Sequence, residues 1–178
     1  MTTHPVPSDF ETRTNATYEA LMWALSRPGL IRQMPKTGQA GVIEALLDRE
    51  CKVYCADPAL TQIAARTGAM IVAPESADHL FFDSLPGADN LGQISLGSDL
   101  YPETGATLVC NVVLGQGQRL RLTGPGCNGA VDVQVKGLPD GFWQSRARLM
   151  RYPMGFEVFL LDGANVLGVP RSSHVEVL

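Results

Sequence analysis

The sequence predicts one α/β domain, with three or four helices around a mixed sheet, and three observations lead there. Helical and strand-like patterns alternate over residues 1–75, the order that builds a sheet covered by helices. The second half changes to short alternating runs separated by Gly-rich turns, the pattern of antiparallel pairs. Of the 178 residues, 45% are hydrophobic and 18% charged, which supplies a core and excludes a disordered chain. No repeat, linker or low-complexity tract divides the chain. The expectation is therefore a flexible tail over 1–9 and a single domain over 10–178.

Each element has its own signal. Over 14–26, Tyr18, Leu21, Met22 and Leu25 fall at the i, i+3, i+4, i+7 spacing of an amphipathic helix. Pro28 ends it, because a proline disfavours helical geometry at the preceding residue. A strand is expected over 30–34. A second helix over 40–49 shows Val42, Ile43, Leu46 and Leu47, and a strand follows over 52–56. Asp57-Pro58 marks a helix start, an N-cap acceptor followed by a proline favoured at the first helical position. That helix runs to Thr67 and ends at Gly68, a suitable C′ residue. An apolar run over 69–73 reads as a strand.

In the second half, runs over 107–114 and 119–123 flank Gly115-Gln116-Gly117-Gln118 and are expected to pair as a hairpin. Val131, Val133 and Val135 alternate with Asp132 and Gln134, as in a half-exposed strand. Asp140 is placed to cap a helix with Phe142, Trp143, Leu149 and Met150 on its apolar stripe. Runs over 156–161 and 166–169 form a second hairpin across Asp162-Gly163-Ala164-Asn165.

Composition narrows the function classes. Fourteen basic and 18 acidic side chains leave a net charge of −4, without the basic footprint of a general nucleic-acid binder. No run approaches the ~20 apolar residues that span a bilayer. Residues 1–9 lack a basic segment followed by an apolar one, so no secretory signal is expected and the expected compartment is the cytoplasm. Cys51 and Cys55 have zinc-like spacing, but Cys110, Cys127 and the histidines do not complete a site. Free thiols and no metal are expected. Between Arg66 and Arg119 there is no Lys or Arg, while acidic residues recur there. Arginine outnumbers lysine eleven to three. Such segregation suits self-association or docking to a partner.

Two motifs invite chemistry. Gly124-Pro125-Gly126-Cys127-Asn128-Gly129 is a literal GxGxxG, yet the residues after it alternate like a strand and do not open a helix. A turn between strands is its expected job. Near the C-terminus, Arg171, Ser172, Ser173 and His174 gather a guanidinium, two hydroxyls and an imidazole. No G-x-S-x-G elbow exists, and Ser173 and His174 on extended backbone face opposite ways. The string suits an anion such as phosphate better than a hydrolytic triad. Glu103, in the turn before the run over 106–114, and Arg121 complete a candidate anion or ligand site: Glu103, Arg121, Arg171, Ser172, Ser173, His174. No catalytic residue is assigned.

Five strings in order point further. They are Tyr18-Glu19-Ala20-Leu21-Met22-Trp23-Ala24-Leu25-Ser26-Arg27-Pro28-Gly29, Pro102-Glu103-Thr104-Gly105-Ala106-Thr107-Leu108 and Leu120-Arg121-Leu122-Thr123-Gly124-Pro125-Gly126. Then come Tyr152-Pro153-Met154-Gly155 and Val169-Pro170-Arg171-Ser172-Ser173-His174-Val175-Glu176-Val177. The first resembles the F-R-x-L-L-x-A-M-S-x-P-G opening of the PhnH family, the H subunits of the bacterial carbon–phosphorus lyase system. The last is similar to that family's I-P-R-T-T-x-V-E-V ending, with Ser172-Ser173 in place of Thr-Thr. Arg27 stands where an acidic residue is expected.

The resemblance implies a three-layer α/β/α fold similar to a reduced pyridoxal-phosphate-dependent transferase, without the cofactor. It also implies a homodimer that joins the G, I and J subunits in a core complex. The associated step is one in which a phosphonate displaces adenine from MgATP to give an alkylphosphonate ribose 5-triphosphate. An accessory, scaffolding role in that step is the expectation. A phosphate-, phosphonate- or nucleotide-binding protein in its own right, built on the Arg171–His174 string, is the alternative. Pyridoxal phosphate needs a Schiff-base lysine. Lys36, Lys52 and Lys136 are the candidates, and none sits with a phosphate-cradling loop.

Overall fold

A computed structural model describes residues 6–178. Most of the expected tail, and His4 with it, lies outside the described residues. Helix α1, Asp9–Ser26, starts before the expected position because Ser8-Asp9-Phe10-Glu11 is a capping box. The Ser8 hydroxyl accepts from the Glu11 N–H at 3.2 Å, and the Glu11 carboxylate accepts from the Ser8 N–H at 2.7 Å.

The main sheet takes the order β1-β9-β8-β5-β4-β2-β3. Its strands are β1, Arg32–Gln33; β2, Lys52–Cys55; β3, Met70–Ile71; β4, His79–Phe82; β5, Thr107–Asn111; β8, Glu157–Asp162; and β9, Asn165–Val169. The pairs β3/β2, β2/β4, β4/β5 and β5/β8 are parallel, while β8/β9 and β9/β1 are antiparallel. A second, antiparallel sheet, β10-β6-β7, is built from β6, Val113–Thr123; β7, Ala130–Lys136; and β10, His174–Val177. Helices α2, Gln39–Leu46, and α3, Pro58–Thr67, lie between early strands, and α4, Phe142–Leu149, precedes β8. Asp57 caps α3 by accepting from the Ala59 N–H at 2.8 Å, and Gly68 closes it at φ +91°. Both were legible beforehand.

The two faces of the main sheet are covered differently. On one, Leu21, Val42, Ile43 and Ala64 of α1–α3 pack on Val53, Phe81, Val109, Phe159 and Val166. On the other, Leu80, Leu108, Val158, Leu160 and Leu167 meet Leu120, Leu122, Val135 and Val175 of the small sheet, with Phe142 and Trp143 of α4. The mixed α/β sheet is as expected. The third layer is not a helical one, however: three strands and one short helix fill it.

Two expectations about the strands are corrected. The runs over 107–114 and 119–123 are not a hairpin. β5 is drawn into the parallel sheet between β4 and β8, and β6 runs on through Gly115-Gln116-Gly117-Gln118. Leu114 and Gln118 both stand opposite Val135, so the glycine-rich stretch is a bulge in a continuous strand. The hairpin partner of β6 is β7, across Gly124–Gly129, which is the turn role expected of that motif. Strand β4 lies in the acidic stretch, for which no strand was expected.

The apolar stripe of α1 is also rotated. Thr17, Ala20, Leu21 and Ala24 are buried, while Tyr18 and Met22 are 50% and 36% exposed. The reason is a close approach. A Cβ on Gly168 of β9 would lie 2.6 Å from the Ala24 backbone. At the Ala24 crossing only a small side chain fits between helix and sheet, so Ala20 and Ala24 flank the inward Leu21 while Tyr18 and Met22 lie on the outer side. Among the described residues, no helix is long and apolar enough to cross a membrane.

Candidate functional site

The segment after β9 enters a turn in which the Ser173 N–H bonds the Pro170 carbonyl at 2.9 Å. This turn delivers Arg171, Ser172, Ser173 and His174 to one wall of a cavity of about 270 Å³. Four of the six candidate residues therefore come together.

Arg171 is held by two other segments, one at Pro102 and one over Pro153–Glu157. Its Nε donates to Glu157 Oε1 at 2.5 Å and its backbone N–H to Oε2 at 2.7 Å. Its Nη1 donates to the carbonyls of Pro102 and Pro153. The pair is 15% and 18% exposed, so it works in a weakly screened setting. In this way the Pro102-Glu103-Thr104-Gly105, Tyr152-Pro153-Met154-Gly155 and Pro170–Ser173 strings, far apart in sequence, meet at one guanidinium.

Glu103 and Arg121 do not join them. Glu103 is exposed on the short 3-10 turn Pro102–Thr104, next to the carbonyl that Arg171 engages. Arg121 lies on β6 with its fork closed on Asp132, at 2.7 and 2.8 Å, 43% and 40% exposed. That hydrogen-bonded pairing raises the Arg121 pKa and lowers that of Asp132. Two of its five N–H donors are already used on that carboxylate.

The residue that sequence reasoning missed is Arg146. It lies on α4, is 2% exposed and lines the same cavity. Its Nη2 donates to the Pro170 carbonyl at 2.8 Å and its Nη1 to the Ser173 carbonyl at 3.2 Å. Its Nε is buried without a partner, as is the Ser173 hydroxyl, in a residue only 4% exposed. Burial pushes the Arg146 pKa down to about 10, against an opposing pull from Glu157, so the guanidinium stays charged at neutral pH. The signal available beforehand was spacing: Arg146 stands three and four positions after Trp143 and Phe142, on their face of the helix.

The lysines are placed elsewhere. Lys36 reaches Glu44 at 3.2 and 3.3 Å, and Lys52 and Lys136 are exposed. All four cysteines are free thiols. Burial pushes the Cys110 thiol up to about 12 and, chiefly by the same cause, Cys55 to about 11, which makes both inert as nucleophiles at neutral pH.

The remaining strings form a second meeting point. The Gly124-Pro125-Gly126-Cys127 turn packs against Ser26-Arg27-Pro28-Gly29 at the end of α1. There a Cβ on Gly126 would lie 2.8 Å from Pro28 Cδ, and Cys127 Sγ sits 3.8 Å from the Pro28 carbonyl oxygen. All five strings thus serve contacts between segments.

Comparison with known proteins identifies the family. Residues 8–176 match the family described as "Bacterial phosphonate metabolism protein (PhnH)". The chain is 31% identical over 177 residues to a protein of Stutzerimonas stutzeri named C-P lyase subunit protein HtxG, covering 93% of this chain and 87% of that one. It is 30% identical over 179 residues to the alpha-D-ribose 1-methylphosphonate 5-triphosphate synthase subunit PhnH of Rhizobium meliloti (strain 1021), covering 89% of this chain and 88% of that one. With the family matched over nearly the whole chain, and its strings meeting where the fold is tied together, the chain belongs to the PhnH family of bacterial phosphonate metabolism proteins.

Proposed function

We propose that this chain is an accessory, scaffolding subunit of the carbon–phosphorus lyase core complex. It acts in the cytoplasm as a homodimer that docks the G, I and J subunits. In that setting it supports the step in which a phosphonate displaces adenine from MgATP to give an alkylphosphonate ribose 5-triphosphate.

The observation that carries this reading is the outward apolar row created by the rotated stripe of α1. Tyr18, Met22 and Trp23 on α1, with Leu30 and Ile31 before β1, are 36–51% exposed. Arg27 and Arg32 sit 5.6 and 5.1 Å from the Trp23 ring centre. An aromatic flanked by arginines, among exposed apolar side chains, suits a protein interface. The subunit names of the two relatives favour the same reading. We also read the chain as working without pyridoxal phosphate, since Lys36 is paired with Glu44 and Lys52 and Lys136 stand exposed on the surface, where no pocket would hold a Schiff base. A colourless purified protein is expected.

The test is co-purification with the I subunit, alone and with G and J, with stoichiometry read by light scattering. A complex holding two copies of each is expected, and Trp23→Glu is expected to weaken either self-association or docking. The isolated chain is expected to release no adenine from MgATP and methylphosphonate. Turnover by the chain alone, or no association with G, I and J all supplied, overturns the reading.

A further inference from the structure

We propose that the cavity floored by Arg146 is a binding site for a small tetrahedral oxyanion with a short apolar substituent, the shape of an alkylphosphonate or a phosphate monoester. The inference stands apart from the scaffolding role and rests on the cavity alone.

Charge comes first. Three ionised groups lie at or behind the cavity wall: Arg146, Arg171 and Glu157. Glu157 is spent on Arg171, through both carboxylate oxygens. Arg146 bonds only backbone carbonyls, so its charge, 2% exposed, has no anion bonded to it. A buried cation left so is costly, and an anion entering the cavity relieves that cost.

Donors come second. A guanidinium carries five N–H groups; those of Arg146 meet two carbonyls, and its Nε meets nothing. The Ser173 hydroxyl, on the same cavity, is also unpartnered. Buried polar groups are nearly always satisfied, and two unsatisfied ones on one cavity point to a missing acceptor. Ser172 and His174 add further donors at the same wall, and a tetrahedral oxyanion has enough lone pairs to accept from all of them.

Size and walls then narrow the ligand. At about 270 Å³ the cavity lies at the small end of ligand sites, which run from ~300 to ~1,000 Å³, and this favours a small anion. Trp143, Met150 and Val175 supply apolar wall, which suits a substituent of a few carbons.

The test is titration of the full-length chain with methylphosphonate, inorganic phosphate and sulfate at millimolar concentrations, followed by phosphorus NMR for the first two and thermal shift for all three. Methylphosphonate is expected to bind, and more tightly than inorganic phosphate. Ser173→Ala is expected to weaken binding at least fivefold without lowering the denaturation midpoint, because the hydroxyl it removes has no partner in the fold. His174→Ala, at an exposed position, serves as a second variant that leaves the fold intact and weakens binding. No binding of any of the three, or binding undiminished in both variants, overturns the site. Equal affinity for phosphate and methylphosphonate overturns the role given to the apolar wall. None of these results bears on co-purification with the other subunits, so the two readings fail separately.

Discussion

Two arginine–carboxylate pairs of nearly the same length hold opposite positions in this molecule. Arg171–Glu157 is 15% and 18% exposed, and three chain segments meet at it. Arg121–Asp132 is 43% and 40% exposed, and it joins two neighbouring strands of the small sheet that are already hydrogen-bonded to each other. Water screens the second pair and contributes little cost to separating it. In the first, removing either partner strands the other in a poorly solvated corner. Bond length does not distinguish the two; burial, and the number of segments that depend on the pair, does.

Arg171→Ala is expected to have the largest effect. It should cost about 2–3 kcal/mol, somewhat under the 3–5 seen for fully buried pairs, since this one retains partial exposure. Urea denaturation measures it, and a double-mutant cycle with Glu157→Gln should return a coupling energy well above the error of about 0.5 kcal/mol. Additive effects would mean that the corner is held by something other than this pair.

Arg146→Met comes next. It removes a buried charge but leaves the Pro170 and Ser173 carbonyls without their donors, so a loss of about 1–2 kcal/mol is expected. A gain in stability would show that the uncompensated charge outweighs its two hydrogen bonds.

His79 extends the comparison to a half-buried imidazole whose Nδ1 is buried with no hydrogen-bond partner. Burial holds its pKa below the ordinary 6.5, against opposing pulls from Asp78 and Asp48. As pH falls below 6.5, the unfolded chain takes up a proton here that the folded chain resists, so stability present above that value is lost on the acid side. His79→Gln should therefore lose less stability than the wild type between about pH 7.5 and about pH 5.5. Identical slopes would show that the imidazole is solvated in the folded protein.

The smallest effect is expected at the surface pair. Arg121→Ala should leave the denaturation midpoint unchanged within error, at low and high salt alike. A measurable loss would place the small sheet's stability in that ion pair and erase the contrast with Arg171.

Much of the local structure was legible in the sequence, and the misses share a cause. Asp57-Pro58 and Gly68 bracket α3 as read, and the hairpin β8/β9 turns at Asp162–Asn165 as read. The Ser8-x-x-Glu11 capping box is also present in the sequence, ten residues before the apolar stripe that begins at Tyr18. That stripe misled because it weighed side-chain size and ignored the distance between α1 and the sheet. Gly168 brings the two so close at Ala24 that Thr17, Ala20, Leu21 and Ala24 face inward, and not Tyr18 or Met22. β5 was paired with the wrong neighbour because an apolar run preceding a Gly-rich stretch fits a hairpin as well as a buried parallel strand.

The candidate site divides along the same line. The string from Arg171 to His174 was identified in advance, and its four residues do share a cavity. Arg146 was missed because a charged residue on a short helix is ordinarily solvent-facing. Arg121 was included on chemistry alone, with no means of seeing Asp132 across the ladder.

By itself, then, the sequence determined what short-range chemistry controls: where helices are capped, where turns fall, which segments alternate, and the five strings that mark the family. Only the tertiary structure decided which face of α1 is buried, which strand β5 joins, which arginine is spent on a carboxylate and which is left with carbonyls. The physical reason is that burial, close approach and ion pairing belong to pairs of residues distant along the chain. Their energies exist only once the sheet has brought those residues together.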